Sequence, residues 1–268
     1  MNASPHIQQS FSWDGFSRGQ IAPEDLARGA ADIGFAGVEL IDPVHWPMLR
    51  DHGLRVVSIT GHPLAPEGLS HTAHFPAIER SIHGALELAA RWEIPYVLCF
   101  SGNRDGMDDE RATGVTAEHL RRLAPLCAEA GVVLVLELLN SKVASRDYFA
   151  DHASWGARVC ELVASPVVRL LYDVFHMQIM EGDLIRTIQA HSGVIGHYHI
   201  AGNPGRGDPD ETQEVNYPAV VRAIAETGHA GFIGHEFFPR RDALTSLRAA
   251  YAMVEAALET GGGQIDVV

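Results

Sequence analysis

The chain has 268 residues, 46% hydrophobic and 20% charged, a globular composition that excludes a long disordered polymer. Its 34 acidic residues against 20 basic ones give a net charge of −14, which speaks against a nucleic-acid binder, since such a protein needs a basic face. The basic residues are arginines except for Lys142, so Schiff-base chemistry has a single amine to draw on.

Short β-rich apolar runs recur along the chain: Ile7–Trp13, Gly37–Ile41, Leu54–Thr60, Pro95–Ser101, Val132–Leu138, Val168–Asp173, Ile195–Ala201 and Gly231–Phe237. Several are almost continuously apolar, the pattern of strands buried on both faces of a parallel sheet. Their starts are spaced by about 32 residues on average, the size of one strand-plus-helix unit. Helical periodicity fills the gaps. One helix opens at Pro23-Glu-Asp-Leu26, with proline and acids in its first turn, and stops near Gly34. Others span Ala77–Trp92, Thr116–Ala130, Trp155–Val163, Tyr217–Thr227 and Ala243–Leu258, with Gly131 and Gly228 as stops.

Eight strands alternating with helices predict an α/β fold, a single (β/α)8 TIM barrel over residues 1–258, with 259–268 as a frayed tail. The alternative is a doubly wound open sheet. It usually carries a glycine-rich first turn, whereas the first strand here ends in Trp13-Asp-Gly-Phe16. Cys99, Cys127 and Cys160 form no CxxC pair and read as free thiols, with Cys99 packed in a strand. The start of the chain lacks a basic-then-apolar signal pattern, and no apolar run approaches a membrane span. The expectation is a cytoplasmic protein. Apolar helix faces leave room for a homo-oligomer.

Barrel chemistry lies at the C-terminal ends of the strands. The polar residues there are Glu39, His62, Ser101, Asn103, Glu137, Asp173, His199 and Glu236. Glu137 is the most telling, because a carboxylate inside VLVLELLN is costly unless paired or bound to a cation. Glu137, Asp173, His199 and Glu236 come from four consecutive strands that converge at the mouth of a closed barrel. Three carboxylates and an imidazole suit Mg²⁺ or Mn²⁺, with Zn²⁺ or Co²⁺ as alternatives. Each also has a structural reading: an arginine partner for Glu137, a helix cap for Asp173, a backbone-bonded core histidine for His199, a surface acid for Glu236. His176 follows Asp173 closely enough to share the mouth. Arg206, in the Gly/Pro-rich loop AGNPGRGDPD, offers a planar fork to a carboxylate. His197 reads as a supporting or core residue. GxSxG, GxxxxGK[ST] and HExxH are absent.

The stretches GFAGVE (34–39), CFSGNR (99–104), LELLNSK (136–142), LLYDVFHMQIMEGD (170–183), HYHIAGNPGR (197–206), DETQEVNYPAVVRAIAETG (210–228) and IGHEFFP (233–239) resemble the hydroxypyruvate isomerase family of xylose-isomerase-like TIM barrels. The resemblance implies a divalent metal held by Glu137, Asp173, His199 and Glu236, with Glu137 and Glu236 as the catalytic proton carriers. It implies substrate contacts for His176 and Arg206, and by weaker transfer for His62, Asn103 and Glu39. The substrate so implied is a small hydroxy-keto acid, hydroxypyruvate going to tartronate semialdehyde, or a ketose if the enzyme is a 3-epimerase on the same site.

Overall fold

The structure is a computed structural model that describes residues 7–18, 21–64 and 66–260. The predicted tail beyond Thr260 and the first six residues lie outside the described residues. From the N-terminus the chain forms β1 (Gln8–Ser12), α1 (Trp13–Phe16), α2 (Pro23–Ile33), β2 (Gly37–Glu39), α3 (Trp46–Asp51), β3 (Arg55–Thr60) and α4 (Phe75–Trp92). It continues through β4 (Tyr96–Cys99), α5 (Asp109–Ala130), β5 (Val133–Glu137), α6 (Ala153–Val163), β6 (Val168–Asp173), α7 (Val174–Met180) and α8 (Leu184–His191). It ends with β7 (Ile195–Ile200), α9 (Tyr217–Glu226), β8 (Phe232–His235) and α10 (Ala243–Glu259). All neighbouring strands pair in parallel, and β1 against β8 closes the ring. The eight strands are the eight apolar runs, which are buried because helices cover the outside of the barrel and side chains fill its inside.

Apart from β6, which matches its run, the strands are shorter than their apolar runs, since closure fixes where pairing stops. Trp13 leaves β1 to start α1. Helix α5 starts at Asp109 rather than Thr116, about two turns earlier, because the Asp108 carboxylate accepts from the Arg111 amide and caps the earlier start. Helices α3, α7 and α8 have no counterpart in the periodicity, since six to eight residues are too few to establish a helical repeat. Gly34 ends α2 at φ +118°, and a Cβ there would also press on the Tyr251 hydroxyl at 2.7 Å.

Two irregularities set the height of the site. Between β2 and β3 the register slips after Val38, which brings Ser58 opposite Glu39. Between β6 and β7 it slips after Leu170, which brings Asp173 level with His199. Among the described residues no helix is long and apolar enough to cross a membrane. The three cysteines are free and buried, and burial pushes the Cys99 thiol well above its usual range.

Three histidines are held neutral by burial: His62 and His229 are pushed down to about 4 and His235 to about 3. Their rings bond to Phe100 and Pro63, to Phe232 and to Gln9 respectively. Below pH ~6.5 the unfolded chain takes up protons that the folded chain refuses. Each histidine therefore removes about 1.4 kcal/mol of stability per pH unit between ~6.5 and its folded value, while above ~6.5 its contribution is intact. Denaturant titrations at pH 7.5 and 5.5 should show lower stability at the acid pH. His62→Gln, which keeps an acceptor for the Phe100 amide, should reduce that difference.

Candidate metal centre

Four side chains converge at the C-terminal end of the barrel. Glu137 is the last residue of β5, Asp173 the last of β6, His199 lies one residue before the end of β7, and Glu236 follows β8 directly. One ligand atom from each lies within 4.8 Å of the others. His199, Asp173 and Glu137 are buried, and the Glu236 side chain is 21% exposed. The cluster is therefore reached from the mouth along Glu236.

His199 organises the group. Its Nε2 lies 3.0 Å from Glu39 Oε2, a hydrogen bond. Its Nδ1 points the other way, 2.8 Å from Glu236 Oε2 and 4.0 Å from Glu137 Oε1, but out of line for a hydrogen bond, so this buried nitrogen has no hydrogen-bond partner. An unpaired buried imidazole nitrogen facing three carboxylates is a donor set that a divalent cation could occupy. Burial opposes charging His199, yet Glu236 and Glu39 on its two sides hold the imidazole well above its usual range. Burial and the neighbouring Glu236 push the Glu137 carboxyl up, while Arg206 and His199 hold Glu236 below its ordinary value despite burial. The two glutamates are thus driven apart in proton affinity within one cavity.

Asp173 divides its two oxygens. Oδ1 accepts from the His176 amide and caps α7, while Oδ2 faces the cluster and lies 3.3 Å from the Arg206 guanidinium. The helix-cap reading and the cluster reading are both realised in one side chain. Arg206 sits in the loop after β7 at φ +55°, closed by the Gly202 amide donating to the Gly207 carbonyl. Its guanidinium donates to Glu236 Oε2 at 2.7 Å and lies over the Phe175 ring. It provides the positive charge that faces the three carboxylates from the mouth side. His176 Nδ1 accepts from the Asn140 amide at 2.9 Å, which leaves Nε2 as the protonated nitrogen. That buried Nε2 has no hydrogen-bond partner and lies 3.6 Å from Asp173 Oδ2. Burial keeps the His176 ring below its usual range, so it offers a neutral donor.

The remaining expected substrate contacts stand elsewhere. Glu39 is fully buried in the barrel lumen beneath His199 and faces no solvent. Its oxygens accept from the Ser10 and Ser58 hydroxyls, and both lie within 3.1 Å of His197 Nε2. The two imidazoles outweigh burial and keep its carboxyl well below the ordinary range. His62 spends Nε2 on the Phe100 amide and Nδ1 on the Pro63 carbonyl, so both ring nitrogens are committed to loop backbone. Asn103 ties the loops after β3 and β5 through its backbone, to Pro66, His71 and Tyr148, and is not bonded to the cluster. His197 supports Glu39 and stacks on Tyr96 at 4.7 Å. Lys142 donates to the carbonyls of Ile179 and Met180 at the end of α7, a helix-terminal role.

Sequence reasoning missed Ser10, Ser58, Asn140 and Gly234. The usable signal was Ser58 after Val56-Val57 in β3 and Gly234 after Phe232-Ile233 in β8, each interrupting an apolar run, whereas Ser10 stands in the polar strand QQSFS.

The family model for the xylose isomerase-like TIM barrel matches residues 27–257. A protein of Pectobacterium atrosepticum described as 2-oxo-tetronate isomerase is 33% identical over 228 residues, 81% of this chain and 86% of that protein. The hydroxypyruvate isomerase of Escherichia coli K12 is 27% identical over 243 residues, 82% of this chain and 89% of that one. A crystal structure described as an AP endonuclease, family 2, from Brucella melitensis superposes with a TM-score of 0.81 at 26% identity, covering 90% of this chain and 97% of that one. With its closed barrel and its relatives among ketoacid isomerases, the chain is an isomerase that belongs to the xylose isomerase-like TIM barrel family.

Proposed function

We propose that the chain is a metal-dependent isomerase of small 3-hydroxy-2-oxo acids, interconverting hydroxypyruvate and tartronate semialdehyde. The observation that carries this reading is the convergence of Glu137, Asp173, His199 and Glu236 around an unpaired His199 Nδ1, with Arg206 at the rim. These four residues would hold Mg²⁺ or Mn²⁺, with Zn²⁺ or Co²⁺ as the alternative. When bound, the cation supplies electrostatic stabilisation of the negative charge that develops on the substrate oxygens.

The reaction moves a proton between adjacent carbons. The C3–H proton passes to a carboxylate, a proton returns to C2, and the hydroxyl hydrogen moves from the C3 oxygen to the C2 oxygen, so the formula is unchanged. Glu236 and Glu137 come from β8 and β5, so they face the cavity from different sides of the barrel. From those two sides one glutamate is placed to take the carbon-bound proton and the other to return one. His176 offers its neutral Nε2–H to an oxygen that gains charge. Arg206 offers a charged fork to the substrate carboxylate. The substrate class also draws support from the relatives, whose names point to 2-oxo acids that carry a hydroxyl on the neighbouring carbon. The net charge of −14 speaks against a DNA substrate of the kind that the Brucella protein's name implies for that protein.

Glu137→Gln and Glu236→Gln should each lower kcat on hydroxypyruvate by about 10²- to 10⁴-fold while circular dichroism stays unchanged. Near wild-type turnover in either folded, metal-loaded variant refutes the catalytic assignment. Treatment with a chelator should abolish turnover, and Mn²⁺ or Mg²⁺ should restore it. A parallel assay of free ketoses decides the substrate class, and turnover of a ketose in preference to hydroxypyruvate would assign the enzyme to the epimerases.

A further inference from the structure

Beneath the cluster lies an ionised carboxylate that the proposed reaction does not use. Glu39 projects from β2 across the lumen to β7, from which it is separated in the ring by β1 and β8. Nothing of it reaches solvent. Four donors converge on it: the Ser10 hydroxyl from β1, the Ser58 hydroxyl from β3, and the Nε2 atoms of His197 and His199 from β7. Each oxygen is thereby bonded, which a buried charge requires. The barrel makes room for this assembly at Gly234. A Cβ there would run into Glu39 Oε1 and lie 2.7 Å from His199 Cδ2. The register slip between β2 and β3 sets Ser58 opposite Glu39.

An imidazole has two nitrogens, and the hydrogen bond made by one decides what the other can do. With Nε2–H given to Glu39, it is Nδ1 that faces Glu137, Asp173 and Glu236, and a cation that displaced its proton would meet a lone pair there. Resting on the metal centre proposed above, we infer that Glu39 is the positioning residue of that centre. It holds the His199 ring with Nε2 protonated and Nδ1 aimed at the cation, and it is anchored for this by Ser10, Ser58 and His197. Glu39 itself touches neither cation nor substrate.

The inference is tested by Mn²⁺ binding to the metal-free protein, followed by calorimetry. Glu39→Gln keeps the side-chain shape but brings two N–H donors into a site already crowded with donors. It should weaken Mn²⁺ binding by about 10- to 100-fold. His119→Gln, a buried histidine on α5 that bonds Leu69 away from the cluster, should bind as the wild type does. A folded Glu39→Gln variant that binds Mn²⁺ as tightly as wild type overturns the inference while leaving the metal centre standing. A wild type that binds no Mn²⁺ overturns the metal centre and the inference together. If Glu39→Gln does not fold, the wild type still decides. In the Zn²⁺-loaded, ¹⁵N-histidine-labelled protein, His199 should show a protonated Nε2 and a metal-bound Nδ1. A metal-bound Nε2 overturns the inference.

Discussion

The site is arranged around one constraint: an ionised carboxylate sealed inside the barrel must have every lone pair bonded. Glu39 meets that requirement with donors from three strands, so β1, β2, β3 and β7 are fixed relative to one another at a single height. The usual contents of such a lumen are layers of branched apolar side chains. Here a polar assembly replaces part of a layer, and removing one partner would leave a buried charge uncompensated, which is far costlier than losing a surface pair. The conformation of His199 follows from this. So does the glycine at position 234, where any side chain would displace the two groups that the layer exists to hold.

Above that layer the chemistry is divided between rigid and adjustable parts. Glu137, Asp173 and His199 stand on strands, where their positions are set by the sheet, and Glu236 is one residue beyond β8 with its amide bonded to the Ile200 carbonyl. Arg206 reaches the same cavity from a loop that is tied to it by the Phe238 amide and by its own side chain. The residues proposed to hold a cation would gain from rigidity, because errors well below an ångström matter there. A group proposed to meet the far end of a substrate can sit on a loop, where lengthening or reshaping would change the substrate without disturbing the strand residues. The relatives named for two different oxo acids on one fold fit that division.

The barrel was legible in the sequence because its signal is collective. Eight apolar runs at a regular spacing do not require any single boundary to be right. The four cluster residues were legible for a local reason: each is a polar group at the exit of an apolar run, and Glu137 interrupts such a run outright. Glu39 has the same local signature, at the end of GVE, and nothing in the sequence tells that its side chain lies a layer below the mouth. Depth in a barrel is set by the stagger between strands, and here by a slip of register at Val38 and Glu39. The bonding of His62 was hidden for a related reason. Its ring turns back to satisfy the Phe100 amide and the Pro63 carbonyl, a demand created by how two loops meet. Helices α3, α7 and α8 were too short for periodicity to reveal, although Asp173 carried the capping signal for α7.

The charge of the whole chain bears on this site in a way that composition alone does not disclose. An anionic substrate approaching a protein of net charge −14 meets an unfavourable field, so attraction has to be generated locally. At the cluster the three carboxylates are faced by the His199 imidazole from below and the Arg206 guanidinium from above. Glu39 is part of that arrangement, because its buried negative charge favours positive charge on His199 from the side opposite the cavity. One carboxylate sealed in the lumen thus offsets, through an imidazole, some of the repulsion among the three carboxylates of the cluster. A cation at the cluster would complete the reversal, with Arg206 at the rim presenting its fork to the carboxylate of the incoming acid. The long-range field then disfavours anions in general, while in the proposed reading the cation and Arg206 would favour, over the last few ångströms, one that brings a carboxylate and two adjacent oxygens.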